Sequence, residues 1–159
     1  MPTHVYKPVH SPPSWWDRLL VHPLDTTVAV VSILFGALVT LSLSLPSFTP
    51  SNSLASMPLW IAAPMAVFFT SGGVLALVGL NWWGDVVSFG WALERFGWLL
   101  AAGGLLTYAI SVSWHFPESV FSWGVPLALG LGGLLRFGSL VMIERATRTT
   151  IAEVKGETL

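Results

Sequence analysis

Charge is scarce in this 159-residue chain: Asp, Glu, Lys and Arg make up 9% of it, against about a quarter in an ordinary soluble domain. So few charged groups cannot cover a water-facing surface of this size, which excludes an ordinary cytoplasmic enzyme. A mean hydropathy of +0.72 excludes disorder as well. Basic residues are not in surplus, with seven Lys and Arg against eight Asp and Glu. No field exists to attract a phosphate backbone, and no nucleic-acid partner is expected. Cysteine is absent, which excludes disulfides, thiolate metal sites, Fe–S clusters and cysteine lipidation. The alternation of a transmembrane strand is missing too, so a β-barrel fits poorly.

What is present is apolar. Four uncharged or nearly uncharged runs, over 26–45, 59–80, 94–113 and 120–143, are each close to the ~20 residues that a helix needs to cross ~30 Å of hydrocarbon. Inside lipid every backbone amide must be satisfied within its own segment, so these runs are expected to be helices. Their connections are short: a Pro/Ser/Thr/Asn stretch from Leu45 to Ser53, a Trp-rich turn from Asn81 to Asp85, and Trp114 to Ser119. Short connections make successive helices antiparallel neighbours. The fold class expected is an all-α integral membrane protein, four antiparallel transmembrane helices in an up-down-up-down bundle.

Basic residues orient it. Lys7 and Arg18 precede the first run, Arg95 belongs to the second connection, and Arg145, Arg148 and Lys155 follow the fourth run, while the first and third connections hold no Lys or Arg. By the positive-inside rule both termini and the second connection are cytoplasmic, and the membrane expected is the bacterial inner membrane. No cleavable signal peptide is apparent. Residues 1–13 read as a flexible proline-rich arm and 14–22 as a short interfacial amphipathic helix, with Ser14 as N-cap and Asp17 three residues on. The transmembrane domain follows over 23–145, with a cytoplasmic tail over 146–159 that carries the fourth helix on for a turn or two. Glu144 and Arg148 stand i,i+4 in it. Of nine tryptophans, Trp15, Trp16, Trp82, Trp83 and Trp114 fall where the headgroups would be and are candidate interfacial anchors.

In lipid, helices associate where small residues let backbones approach. Gly97, Ala101 and Gly104 form one such seam, Gly124, Ala128 and Gly132 another, and the second run offers Ala62, Ala66, Gly72, Ala76 and Gly79. Seams of this kind serve the chain's own bundle or a neighbouring copy, so a homo-oligomer or a larger membrane complex is expected beside the lipid bilayer as partner. Pro64 in the second run is expected to free a carbonyl and bend its helix.

Arg136 is the one charge in the interior of a run. Counting by fours from Gly124 reaches it, so it continues that seam. It lies about seven residues, or roughly 10 Å, inside the end of its helix. Two readings stand: the guanidinium snorkels to the interface, or it pairs with Glu94 at the start of the third run, since an unpaired charge in the membrane is costly.

Catalytic inventory is short. No run has a carboxylate near its centre for proton or ion coupling, and the Gly-Gly pairs lie inside apolar helices with no strand before them. No Ser–His–Asp arrangement is apparent, so no catalytic residue, metal site or cofactor is expected and no small-molecule substrate is identified. His22 and His115 fall at opposite membrane faces, which excludes a pair gripping one haem; either could serve singly as a pigment ligand. His22-Pro23-Leu24-Asp25 reads as a helix start, with Asp25 at the positive end of the dipole.

The lead-in Trp15-Trp16-Asp17-Arg18-Leu19-Leu20-Val21-His22-Pro23-Leu24, the four short-looped runs, Glu94 to Gly104, and the closing Glu144-Arg145-Ala146-Thr147-Arg148 resemble small four-span membrane proteins encoded by actinobacterial phages. The resemblance covers nearly the whole chain. It implies a holin-like role, in which inner-membrane proteins accumulate, oligomerise and open lesions for a lytic enzyme, and it supplies no catalytic residues. Ser32, Thr40, Ser42, Ser44, Thr107, Ser111 and Ser113 are the polar groups that could wet such a lesion. The alternative is a non-enzymatic accessory subunit at the edge of a larger membrane or virion assembly, in contact with pigment or lipid. A dimeric four-span transporter ranks third, for want of an intramembrane carboxylate.

Overall fold

The computed structural model describes residues 21–45, 47–82 and 87–155, with side chains described throughout except at 87, 148 and 151–155. Among the described residues the elements are all helical: α1 (Pro23–Ser44), α2 (Asn52–Ala55), α3 (Leu59–Leu80), α4 (Val87–His115) and α5 (Val120–Lys155). Four of them are long and apolar enough to cross a membrane, the mark of an integral membrane protein. The arm, most of the expected interfacial helix, Trp15, Trp16 and Trp83 lie outside the described residues.

α1 begins at the His22-Pro23-Leu24-Asp25 start, with His22 at the N-cap, proline in the first turn and Asp25 beside the free amides. The stretch after it is more than a loop. Ser51 caps α2, its hydroxyl accepting from the Leu54 amide at 3.1 Å, and Leu54 and Met57 turn into the core. This short element borders an apolar cavity of about 170 Å³ walled by Phe35, Phe69, Leu105 and Pro126. Ser51→Ala is expected to cost about 1 kcal/mol. It should act locally, seen as faster amide exchange over 52–57 with the long helices unchanged.

α3 runs unbroken through Pro64, which faces outward six residues into the helix. α4 differs from expectation at its start. It begins at Val87, seven residues before Glu94, so Arg95 is a helical residue and not part of a connection. The reason is electrostatic: Glu94 and Arg95 each have an opposite charge on α5, and a charge paired across helices does not end one. α5 likewise continues to Lys155, farther than the turn or two expected.

The long helices associate in chain order, α1 on α3, α3 on α4 and α4 on α5. Along each of the first two pairs, residue numbers on one helix fall as those they touch on the next rise. Gly72 lies on Ala101 and Gly97, and Gly79 on Glu94; Gly36 lies on Ala66 and Thr70, and Gly73 on Ala29. Two clusters form the core. One holds Val39, Met65, Phe69, Leu105 and Val112; the other holds Ala29, Ala76, Trp98 and Leu140. Half of the apolar window of α4 is buried inside the molecule, but only 17% of that of α5. α4 is therefore an inner helix, and α5 closes the series with most of its surface bare.

Candidate functional site

Polar side chains gather where α1 and α4 begin and α3 ends. Arg136 reaches this end from α5, and its Nη2 donates to Glu94 Oε1 at 2.9 Å and lies 3.1 Å from Asp25 Oδ2. The partner expected for Arg136 is thus within hydrogen-bond distance, and a second carboxylate shares the same nitrogen. That second acid was not foreseen, because Asp25 has a sufficient local reason to be there as the first-turn acid of α1. Glu94 is 5% exposed. Its depth is made possible by Gly79, where a side chain would run into the Glu94 backbone.

The arrangement ties three helices at one point. α1 and α5 stand at the two ends of the contact series, and Asp25 and Arg136 bring them together. A second ion pair lies beside it, Arg95 Nη1 with Glu144 Oε2, and Glu144 is 7% exposed. Glu144 is thus engaged across the helices, while the side chain of Arg148, its expected i,i+4 partner, lies outside those described. Both pairs join α4 to α5. In a low-dielectric setting such pairs hold register strongly, since removing one member leaves the other buried and uncompensated.

A polar cavity of about 240 Å³ opens at the cluster, with His22, Trp82, Trp91, Glu94 and Arg136 among its walls. Trp82 closes over Gly90, where a side chain would meet the indole within 3 Å. It also stacks edge-on against Phe89, ring centres 4.9 Å apart. His22 Nδ1 is 3.9 Å from Asp25 Oδ2. At the opposite end Trp114 is 84% exposed, and His115 Nδ1 lies 2.9 Å from the Ser111 carbonyl.

The two small-residue seams part company. Gly97, Ala101 and Gly104 pack on α3: Gly97 lies against the Ala76 backbone, Gly72 against Ala101, and Gly104 against the Phe69 ring. Gly124, Ala128 and Gly132 do not pack on α4. A side chain at Gly132 would meet nothing within 4 Å, and one at Gly124 would meet only Val120 of its own helix. Gly130 and Gly133 approach α4 instead, against Leu105, Leu106, Trp98 and Ala102. A useful signal was available in the period: Gly130, Gly133, Phe137, Leu140 and Glu144 follow the three-and-four spacing of one helix face, whereas a strict four-residue count drifts around the helix.

Four of the seven hydroxyls that could wet a lesion are turned to their own backbones. Ser32, Thr40 and Ser44 donate to carbonyls four residues earlier, and Ser113 to one three earlier, all at 2.8–2.9 Å. Such bonds satisfy the hydroxyl inside lipid without a partner helix or water.

Comparison of the chain with protein-family models, curated proteins and solved structures finds no significant match.

Proposed function

We propose that this chain is a holin-like protein: a non-enzymatic, polytopic protein of the bacterial cytoplasmic membrane that self-associates and permeabilises it. Its four long helices cross up-down-up-down with both termini cytoplasmic, which places the Asp25–Glu94–Arg136 cluster at the cytoplasmic end. The observation that carries the reading is the open stripe of Gly124, Ala128 and Gly132 on α5. The corresponding small residues of α3 and α4 are in backbone-to-backbone contact, and a like stripe on the least buried helix offers the same approach to a second copy. Because Ser32, Thr40, Ser44 and Ser113 are bonded within their own helices, a lesion would be lined by rearranged interfaces rather than by a preformed polar channel.

Induced expression in a bacterium, followed by membrane potential, tests this. The wild-type chain is expected to form cross-linked oligomers and then depolarise the cell abruptly. Gly132→Leu enters open space, so the fold should survive while cross-linking and depolarisation are lost together. Healthy growth at high expression of the wild-type chain contradicts permeabilisation and favours the accessory subunit.

A further inference from the structure

The cavity at the charged end combines features that converge on one ligand chemistry. Its walls include two indoles, Trp82 and Trp91, and the carboxylate-bearing Glu94. Among the described residues, the cluster beside it sets two carboxylates, Asp25 and Glu94, against the single guanidinium of Arg136. Both acids take the same Arg136 nitrogen, and His22 Nδ1 lies 3.9 Å from Asp25, so the almost wholly buried Glu94 shares its one cation with a second acid, a local surplus of negative charge. A buried surplus of this sign favours a cation, and indole faces favour an organic one over a hydrated metal ion.

Position narrows the choice. His22 is the N-cap of α1, Trp82 follows the last turn of α3, and Trp91 stands one turn into α4. The cavity therefore lies at helix ends, at the level where hydrocarbon gives way to headgroups and tryptophan is at home. We infer that it is a site for a primary ammonium group, of the kind carried by an ethanolamine phospholipid headgroup: the ammonium donates to Glu94 and stands between the indoles. A quaternary ammonium would gain the indoles but has no N–H to give the carboxylate. This inference rests on the chain spanning a bilayer and is independent of self-association.

Native mass spectrometry of the full-length protein, released from detergent with ethanolamine, choline and glycerol phospholipids of matched chains in equal amounts, reads it directly. Ethanolamine lipid is expected to be retained about tenfold over glycerol lipid, with choline lipid between. Trp91→Leu removes a wall and leaves every charge in place, and it should abolish the preference; Glu94→Gln should do the same while Asp25 still holds Arg136. Circular dichroism verifies that each variant remains helical. Free ethanolamine displacing the lipid at millimolar concentration would assign the site to soluble amines with the same ammonium chemistry. Equal retention of the three lipids with no effect of free ethanolamine would overturn the proposal, as would a preference that survives both substitutions. Loss of oligomers in the Gly132→Leu variant would leave lipid retention unchanged, so the two proposals fail separately.

Discussion

Arg136→Leu is expected to be the most damaging single substitution in the described part of the chain. Among the described residues it removes the only guanidinium within reach of Asp25 and Glu94, and it leaves two carboxylates facing each other with Glu94 buried. Breaking a buried ion pair by deleting one member costs about 3–5 kcal/mol. The partial exposure of Asp25 and Arg136, at 22% and 26% of their side chains, places the loss toward the lower end. The measurement is thermal unfolding in detergent. Asp25→Asn alone should be mild, within about 1 kcal/mol, since Arg136 keeps Glu94. Combining Arg136→Leu with Asp25→Asn and Glu94→Gln should recover much of the loss, because the buried charges go together. The three-way geometry also changes what a charge swap can do. Exchanging Glu94 and Arg136 would set the new acid at 136 against Asp25, so rescue should be partial and should improve with Asp25→Asn. If Arg136→Leu unfolds at the wild-type temperature, the guanidinium is a snorkelling group and the cluster holds nothing.

The second large effect is expected at Gly97. A β-carbon there would overlap the Ala76 backbone nitrogen and sit 2.8 Å from both the Ala76 Cα and the Gly72 carbonyl oxygen. All three obstacles are backbone, with no flexible side-chain end to move aside, so α3 and α4 must separate. Gly97→Val should cost about 1–3 kcal/mol or more, and the parting should expose the interhelical face to protease. Gly132→Val supplies the contrast: the same chemical change on α5 enters open space and should stay within about 0.5 kcal/mol of wild type. Equal losses at the two positions would mean that backbone approach does not hold α3 to α4.

These expectations show which features the sequence carries in readable form. The α3–α4 contact was legible because Gly72, Ala76 and Gly79 on one run and Gly97, Ala101 and Gly104 on the other mark both sides of one antiparallel approach. The use of the second seam was not legible, for a physical reason. Small residues report that a backbone could come close, and they do not say whether the visitor is α4 or another molecule. The bond between Arg136 and Glu94 was legible because the fourth run has a single charge and the third has an acid at a matching depth. Asp25 was hidden behind a local explanation, since an acid in a helix's first turn is satisfied by that helix alone. Arg95 was misplaced by the same habit: a charge near an apolar run reads as its boundary, and only the fold shows that it meets Glu144 across α4 and α5.

Depth along the helices follows from these pairs. At 1.5 Å per residue, the 29 residues of α4 extend roughly 43 Å, more than the ~30 Å of hydrocarbon. Its first two turns can therefore stand among headgroups, with Glu94 and Arg95 at the boundary. The 36 residues of α5 extend roughly 54 Å, so its last turns, with Arg145 exposed, project into water.

The absence of cysteine from the chain makes its transmembrane path directly measurable with single introduced thiols. Ser53→Cys, Ser119→Cys, Thr3→Cys and Thr149→Cys would each be challenged in intact cells with a maleimide that cannot cross the membrane. The account predicts labelling at 53 and 119 from outside, and labelling at 3 and 149 only after the cells are opened. Labelling of 3 and 149 from opposite sides, or of all four thiols from one side, would contradict a chain that crosses the bilayer four times and returns to where it began.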